Sequence, residues 1–141
     1  MMLEVRNIHK SFADREVLKG VDLRVNKGDV VTILGRSGSG KTTFLRCINF
    51  LENADQGTMT LDQETFELAH VSCQDKIRIR RKTAFVFQNY NLFRNKTALE
   101  NVTEGLIIAR KMPKDQAVET AFQALEKVGL RDRAEAYPHQ L

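Results

Sequence analysis

The apolar positions fall into distinct textures along the chain. Val21, Leu23 and Val25 alternate with polar residues and predict a half-buried strand, and Leu3 and Val5 begin a similar pattern. Asn26-Lys27-Gly28-Asp29 predicts a turn. Val30–Leu34 is a continuous apolar run rich in β-branched residues, which fits a strand covered on both faces, as in a parallel sheet. Ala84–Phe87 reads the same way and ends at Gln88, and Gly57 to Asp62 predicts another short strand. Phe44, Leu45, Ile48 and Leu51 lie on one face of a helix. From Thr97 onward the period is helical throughout. Leu99, Val102, Leu106 and Ala109 share one face, and Ala117, Ala121, Ala124, Leu125 and Val128 share another, with Gly129 as its C-terminal cap. Strands first, helices last and a strand–loop–helix unit between them predict a mixed α/β domain.

Composition narrows the class. The 141 residues are 42% hydrophobic and 28% charged, which suits one domain or part of a larger one and excludes disorder. Two cysteines, Cys47 and Cys73, make neither a disulfide framework nor a metal site with CxxC spacing. No run of about 18 apolar residues occurs, and the first residues lack the charged and apolar regions of a secretory signal. The net charge of +4 is compatible with phosphate or nucleic-acid partners without requiring them.

The chemistry is concentrated in Gly35-Arg36-Ser37-Gly38-Ser39-Gly40-Lys41-Thr42, which fits G-x-x-x-x-G-K-[ST], the phosphate-binding P-loop. Glycines let consecutive backbone N–H groups turn inward as an anion nest, and the helix that follows presents free N–H groups and the positive end of its dipole. Lys41 would supply a point charge to the β- and γ-phosphates, and Thr42 a hydroxyl to Mg²⁺. At ordinary residue frequencies a chance match in a chain this long is on the order of one in 200. A buried run before the loop and an amphipathic helix after it favour the P-loop over a plain Gly/Ser surface loop.

Further segments carry a resemblance. Lys10-Ser11-Phe12, Val17-Leu18-Lys19-Gly20-Val21-Asp22-Leu23, the P-loop and Phe85-Val86-Phe87-Gln88 resemble the ATP-binding subunit of ABC transporters over essentially the whole chain. Arg46–Glu52, Gln88–Phe93 and Leu99–Val102 look most like importers of polar amino acids, and Asn95-Lys96-Thr97-Ala98 departs from a common family segment in a way that points to a cystine-like or sulfur-compound branch. The resemblance implies an α/β P-loop NTPase fold, the ABC nucleotide-binding domain, with an N-terminal antiparallel β part and the start of a helical subdomain. It divides the chain into an ATP-binding core over about residues 1–96 and an incomplete helical subdomain over about 97–141.

Roles follow from the same resemblance. Phe12 would stack on adenine. Gly35, Ser37, Gly38, Ser39, Gly40, Lys41, Thr42 and Thr43 would line the phosphates, and Gln88 would touch Mg²⁺ or the attacking water, with Thr42 and Gln88 at the metal. The implied activity is transport-coupled ATP hydrolysis driving amino acid uptake through membrane permease subunits, at the cytoplasmic face of the cell membrane. A substrate-binding protein would take part indirectly, two ATP-binding subunits would pair in the complete protein, and no nucleic acid would be involved. The rival readings are a soluble ABC-type ATPase acting on nucleic acid or ribosomes, and a binding-only fragment.

The family's Leu-Ser-Gly-Gly-Gln signature would begin at Leu141, and the Walker B acids and the switch histidine would follow it. The expected status is therefore an N-terminal, truncated piece without hydrolytic activity of its own. His139 precedes the signature and is not the switch histidine, and His9 and His70 read as ordinary histidines. In the family, strands from the later half lie between Val30–Leu34 and Ala84–Phe87, so those runs are expected to present apolar edges to a gap. Lys76–Lys82 holds five basic residues in seven; a solvated helix face is favoured over a nucleic-acid patch. Cys47 reads as a packing residue.

Overall fold

A computed structural model describes residues 2–141, and the chain divides into two compact units, one through Phe85 and one from Val86 onward. The first unit is built on an antiparallel sheet of strands β1 (Leu3–Phe12), β2 (Arg15–Val25), β3 (Gln56–Leu61) and β4 (Glu64–Glu67), in the order β2-β1-β3-β4. Helix α1 (Lys41–Ile48) follows the glycine-rich loop, and α2 (Cys73–Lys82) follows β4 through a single 3₁₀ turn at Leu68–His70. The mixed α/β class and the antiparallel N-terminal part expected from the sequence are both present.

The alternation at Leu3 and Val5 starts a longer strand than it announces, and that strand changes phase. Val5 and Ile8 are both fully buried although they are three positions apart, an odd spacing for one face of a strand. The β1–β2 register shifts between those two residues, and Asn7 takes a φ of 52°. One extra residue in a strand moves every later side chain to the opposite face. The bulge leaves no orphan donor, because the Asn7 N–H donates to Asp22 Oδ1 at 2.6 Å. Beyond it the inward phase runs through Ile8 and Lys10.

The core of this unit gathers Val5, Ile8, Leu18, Phe44, Cys47, Met59, Leu68 and Ile79 from the sheet and both helices. Two turns connect it as their chemistry requires. Asp29 Oδ2 accepts from the Asn26 N–H at 2.7 Å, closing the predicted turn. Asp62 and Gln63, with φ of 48° and 73°, form the two-residue hairpin loop between β3 and β4, where positive φ matches the strand twist.

Two expected strands are absent. Neither Val30–Leu34 nor Ala84–Phe87 is assigned to a strand, and the ladders of the sheet join only β1 to β4. Burial on both faces also fails: Val30 is 95% exposed, Leu34 86% and Val86 93%, and only Ile33 of the first run packs on the core. A run of β-branched residues records a preference for cover but does not supply the flanking strands a parallel sheet needs. Val30, Val31 and Leu34 are exposed, but no strand forms there, so the expected strand edge is not present. The α1 face is also corrected, since Phe44 and Cys47 are buried while Leu45 is exposed and Leu51 lies past the helix end.

In the second unit, α3 (Ala98–Glu104) opens on a capping box in which Thr97 Oγ1 accepts from the Glu100 N–H and Glu100 accepts from the Thr97 N–H. A π-type turn over Gly105–Ala109 follows and breaks the periodicity that placed Leu106 and Ala109 on one face with Leu99. Helix α4 (Lys114–Lys127) buries Ala117, Ala121 and Leu125, whereas Ala124 and Val128 are exposed. It closes as predicted on Gly129 at φ 70°: the Leu130 N–H reaches Leu125 O at 2.8 Å and the Gly129 N–H reaches Glu126 O at 3.0 Å, the Schellman pattern. Among the described residues no helix is long and apolar enough to cross a membrane.

Gly57 marks where the β1 bulge brings its backbone close against the neighbouring strand β3. Its φ is 120°, and a Cβ there would lie 2.9 Å from Arg6 O, Asn7 O and Ile8 Cα, all backbone atoms. Gly28, at φ 90°, has nothing within 4 Å. Gly57→Ala should cost about 3 kcal/mol and Gly28→Ala about 1 kcal/mol in urea unfolding. Equal midpoints for the two variants would contradict the close approach.

Candidate functional site

The P-loop follows Val30–Leu34 and runs into α1, and its shape depends on where glycine stands. Gly38 has a φ of 75° and Gly40 a φ of 94°, a region that L side chains rarely enter. At Gly40 space is restricted as well, since a Cβ would meet Val17 Cγ1 at 2.9 Å and Leu18 Cδ2 at 3.1 Å. The loop's last glycine therefore serves two purposes, the turn and a tight seat on β2.

The start of α1 is open to an anion. Its first helical bond runs from the Phe44 N–H to Gly40 O at 2.8 Å, so the N–H groups of Lys41, Thr42 and Thr43 precede the ladder. No side chain caps this end and no acid sits in the first turn. Lys41 Nζ donates to Gly35 O and to Arg36 O, each at 2.8 Å, which folds the ammonium back over the loop. An ammonium has three donors, so one remains for an anion.

Phe12, at the end of β1, reaches the same place. It lines a cleft of about 240 Å³ with Gly38, Ser39, Gly40, Thr42 and Thr43, and Lys41 also borders it. The ring is 45% exposed. The cleft thus joins an aromatic face to the open end of a helix, an arrangement suited to a ligand with a flat ring at one end and phosphates at the other. Arg15 and Val17 of β2 complete its wall and were not singled out from sequence. Gly35 and Ser37 are exposed on the loop itself. Gln88 belongs to the second unit, where it is exposed.

No group of three or more His, Cys, Asp or Glu side chains that could hold a metal exists among the described residues. A cation at this cleft would have to be shared with phosphate oxygens through a hydroxyl such as that of Thr42. That donor set suits Mg²⁺, which keeps waters and few protein ligands beside phosphates.

Four of the five basic residues in the stretch are paired within the unit, on the α2 helix, and Arg81 is exposed. Arg78 pairs with Glu64 at 2.7 Å and Asp75 at 3.0 Å, and Lys82 lies 3.4 Å from Asp62. Lys76 donates to Asn53 Oδ1 at 2.8 Å, while Arg80 donates to the carbonyls of Asn49 and Phe50 just past α1. His9 pairs with Glu16 at 2.9 Å on the surface.

Cys47 is fully buried against the sheet. Burial pushes its thiol from 9.0 up to about 11, helped by the carboxylates of Glu52 and Asp55 and opposed by the Lys10 charge. Cys73 is exposed on α2. At pH 8 iodoacetamide should therefore modify Cys73 and spare Cys47, as peptide mass mapping would read. A thiol whose folded pKa is raised gives stability that is full below its unfolded pKa and is lost as pH rises through the folded value. Urea midpoints of Cys47→Ala should fall less steeply between pH 9 and 11 than those of the parent; equal slopes would count against a buried, neutral thiol.

A family profile described as "ABC transporter" matches residues 18–141. The chain is 52% identical over 140 residues to the L-cystine import ATP-binding protein TcyN of Bacillus subtilis (strain 168), a match covering 99% of this chain and 54% of that relative. It is 45% identical over 142 residues to the L-cystine transport system ATP-binding protein TcyN of Escherichia coli (strain K12), covering 99% of this chain and 57% of that relative. Among solved structures it is similar to the ATP-binding cassette MJ0796 in a dimeric post-hydrolysis state bound to ADP and Pi. That likeness has a TM-score of 0.83 at 32% identity and covers 99% of this chain and 63% of that one. The chain spans about half the length of the curated relatives it matches.

Proposed function

The chain belongs to the ABC transporter family, and on that premise we propose that it carries the ATP-binding half-site of an import ATPase. The observation that supports this most directly is the cleft shared by Phe12 and residues 38–43. In this reading adenine stacks on Phe12. The N–H groups of Gly38 and Gly40–Thr43 and the Lys41 ammonium hold the phosphates. Ser37 and Ser39 flank them, Gly35 sets the loop's entry, and the Thr42 hydroxyl shares Mg²⁺ with phosphate oxygens. Mg²⁺ would supply charge neutralisation between the phosphates. Residues of about 1–96 form the ATP-binding core and about 97–141 the helical part.

The relatives' names carry the rest of the proposal. Both TcyN proteins are named for L-cystine import or transport. The complete protein containing this chain then hydrolyses ATP to drive uptake of cystine or a similar amino acid. It works with membrane permease subunits, pairs with a second copy as the dimeric cassette does, and depends on a substrate-binding protein indirectly. It sits peripherally on the cytoplasmic face of the membrane.

Titration calorimetry tests the cleft. Lys41→Ala should weaken both ATP and tripolyphosphate by about ten- to a hundredfold, the value of a lost charge-assisted hydrogen bond. Phe12→Ala should weaken ATP by about tenfold and leave tripolyphosphate little changed, because a base stacks on the ring and a phosphate does not. Equal losses for the two ligands on Phe12→Ala would remove the stacking role.

A further inference from the structure

Asp55 grips the end of β1 in three ways. Its own N–H donates to His9 O at 2.9 Å. Its carboxylate accepts from the Ser11 N–H at 2.6 Å and from Lys10 Nζ at 3.3 Å. Glu52 takes a second ion pair from Lys10 at 3.2 Å. Glu52 lies in the turn after α1, where the N–H groups of Leu51 and Glu52 bond back to Arg46 O, and Asp55 stands just before β3. The clamp therefore ties the strand that ends in Phe12 to the helix that begins in the P-loop.

Lys10 is the unusual member. It is only 9% exposed, and ammonium groups are seldom buried without need. Burial pulls its pKa down, but the hydrogen bonds and charges of Glu52 and Asp55 together outweigh that and leave it above its ordinary value. The charge is thus retained inside, and it lies 5.0 Å from the centroid of the Phe12 ring. At that distance a cation is attracted to an aromatic ring. The rest of the strand end is exposed, so backbone packing alone does not fix where the ring sits.

We propose that Lys10 is a positioning residue for nucleotide binding: held by Glu52 and Asp55, its ammonium fixes the Phe12 ring at the P-loop cleft so that a purine can stack on it. This rests on the reading of the cleft as an ATP site. Lys10 touches no phosphate in this scheme and acts only through the ring.

The test is calorimetric titration of the 141-residue chain with ATP and, separately, with tripolyphosphate. Lys10→Met keeps the length and apolar character of the side chain and removes the charge. It should lower ATP affinity about fivefold while tripolyphosphate changes by less than about twofold. Lys10→Arg, which can keep both ion pairs and the ring contact, should recover most of the ATP affinity. Asp55→Asn should reproduce the selective loss, and it carries the comparison if Lys10→Met lacks a cooperative urea transition. Equal losses of ATP and tripolyphosphate in Lys10→Met or Asp55→Asn would assign the clamp a structural role only and overturn the proposal. So would an unchanged ATP affinity in those variants while Phe12→Ala still loses it. If Phe12→Ala leaves ATP binding intact, the stacking reading itself has failed and the role of Lys10 goes with it.

Discussion

One extra residue in β1 decides which side chains the rest of the first unit can use. With strict alternation from Leu3 and Val5, the inward positions would be Asn7, His9 and Ser11. The bulge at Arg6–Asn7, stabilised by the Asp22 carboxylate, makes them Ile8 and Lys10 instead. Ile8 then fills the centre of the core beside Met59 and Phe44. Lys10 arrives inside as a charge, and a buried charge requires partners. Glu52 and Asp55 meet that requirement, and so the turn after α1 is drawn to the end of β1.

The parts legible in the sequence are those whose information is contiguous. The P-loop was readable because its glycines, lysine and threonine act within one turn, and β2 and the Ala117, Ala121 and Leu125 positions of α4 because their periods survive packing. Phe12 was reached through the family resemblance, since a lone aromatic at a strand end has no spacing to identify it. The Lys10–Glu52–Asp55 clamp was not legible because it joins positions more than forty residues apart, and because the bulge that turns Lys10 inward leaves no mark in an apolar/polar pattern. The runs at 30–34 and 84–87 misled for a different reason. Hydrophobicity reports what a segment would bury, and the pattern alone does not say what covers it or in which conformation. On α1, Cys47 took the buried place assigned to Leu45, because a helix eight residues long presents only a narrow stripe to the sheet.

The β1–β2 hairpin frames both walls of the cleft. Phe12 stands at its tip, and Arg15 and Val17 line the cleft from the opposite strand. Val17 and Leu18 also provide the surface against which Gly40 seats, too closely for any Cβ. The aromatic wall thus stands on the hairpin and the loop that carries the other wall is seated against it at Gly40. Side chains held on a strand keep a site more tightly set than side chains on a free loop.

Helix α1 is asymmetric in a way that fits this frame. Eight residues are too few for a helix to persist in water by propensity alone, so burial of Phe44 and Cys47 must hold it. Its C-terminal end carries Arg46 and receives Arg80 on the carbonyls of Asn49 and Phe50, which complements the negative end of the dipole. Its N-terminal end has neither a capping side chain nor an acid. An Asp or Ser at the cap would stabilise the helix by satisfying those N–H groups, and would also occupy the place an anion needs. Stabilising the helix from the far end and from its buried face leaves the positive end uncompensated, so a bound phosphate would take the role that a capping side chain has elsewhere.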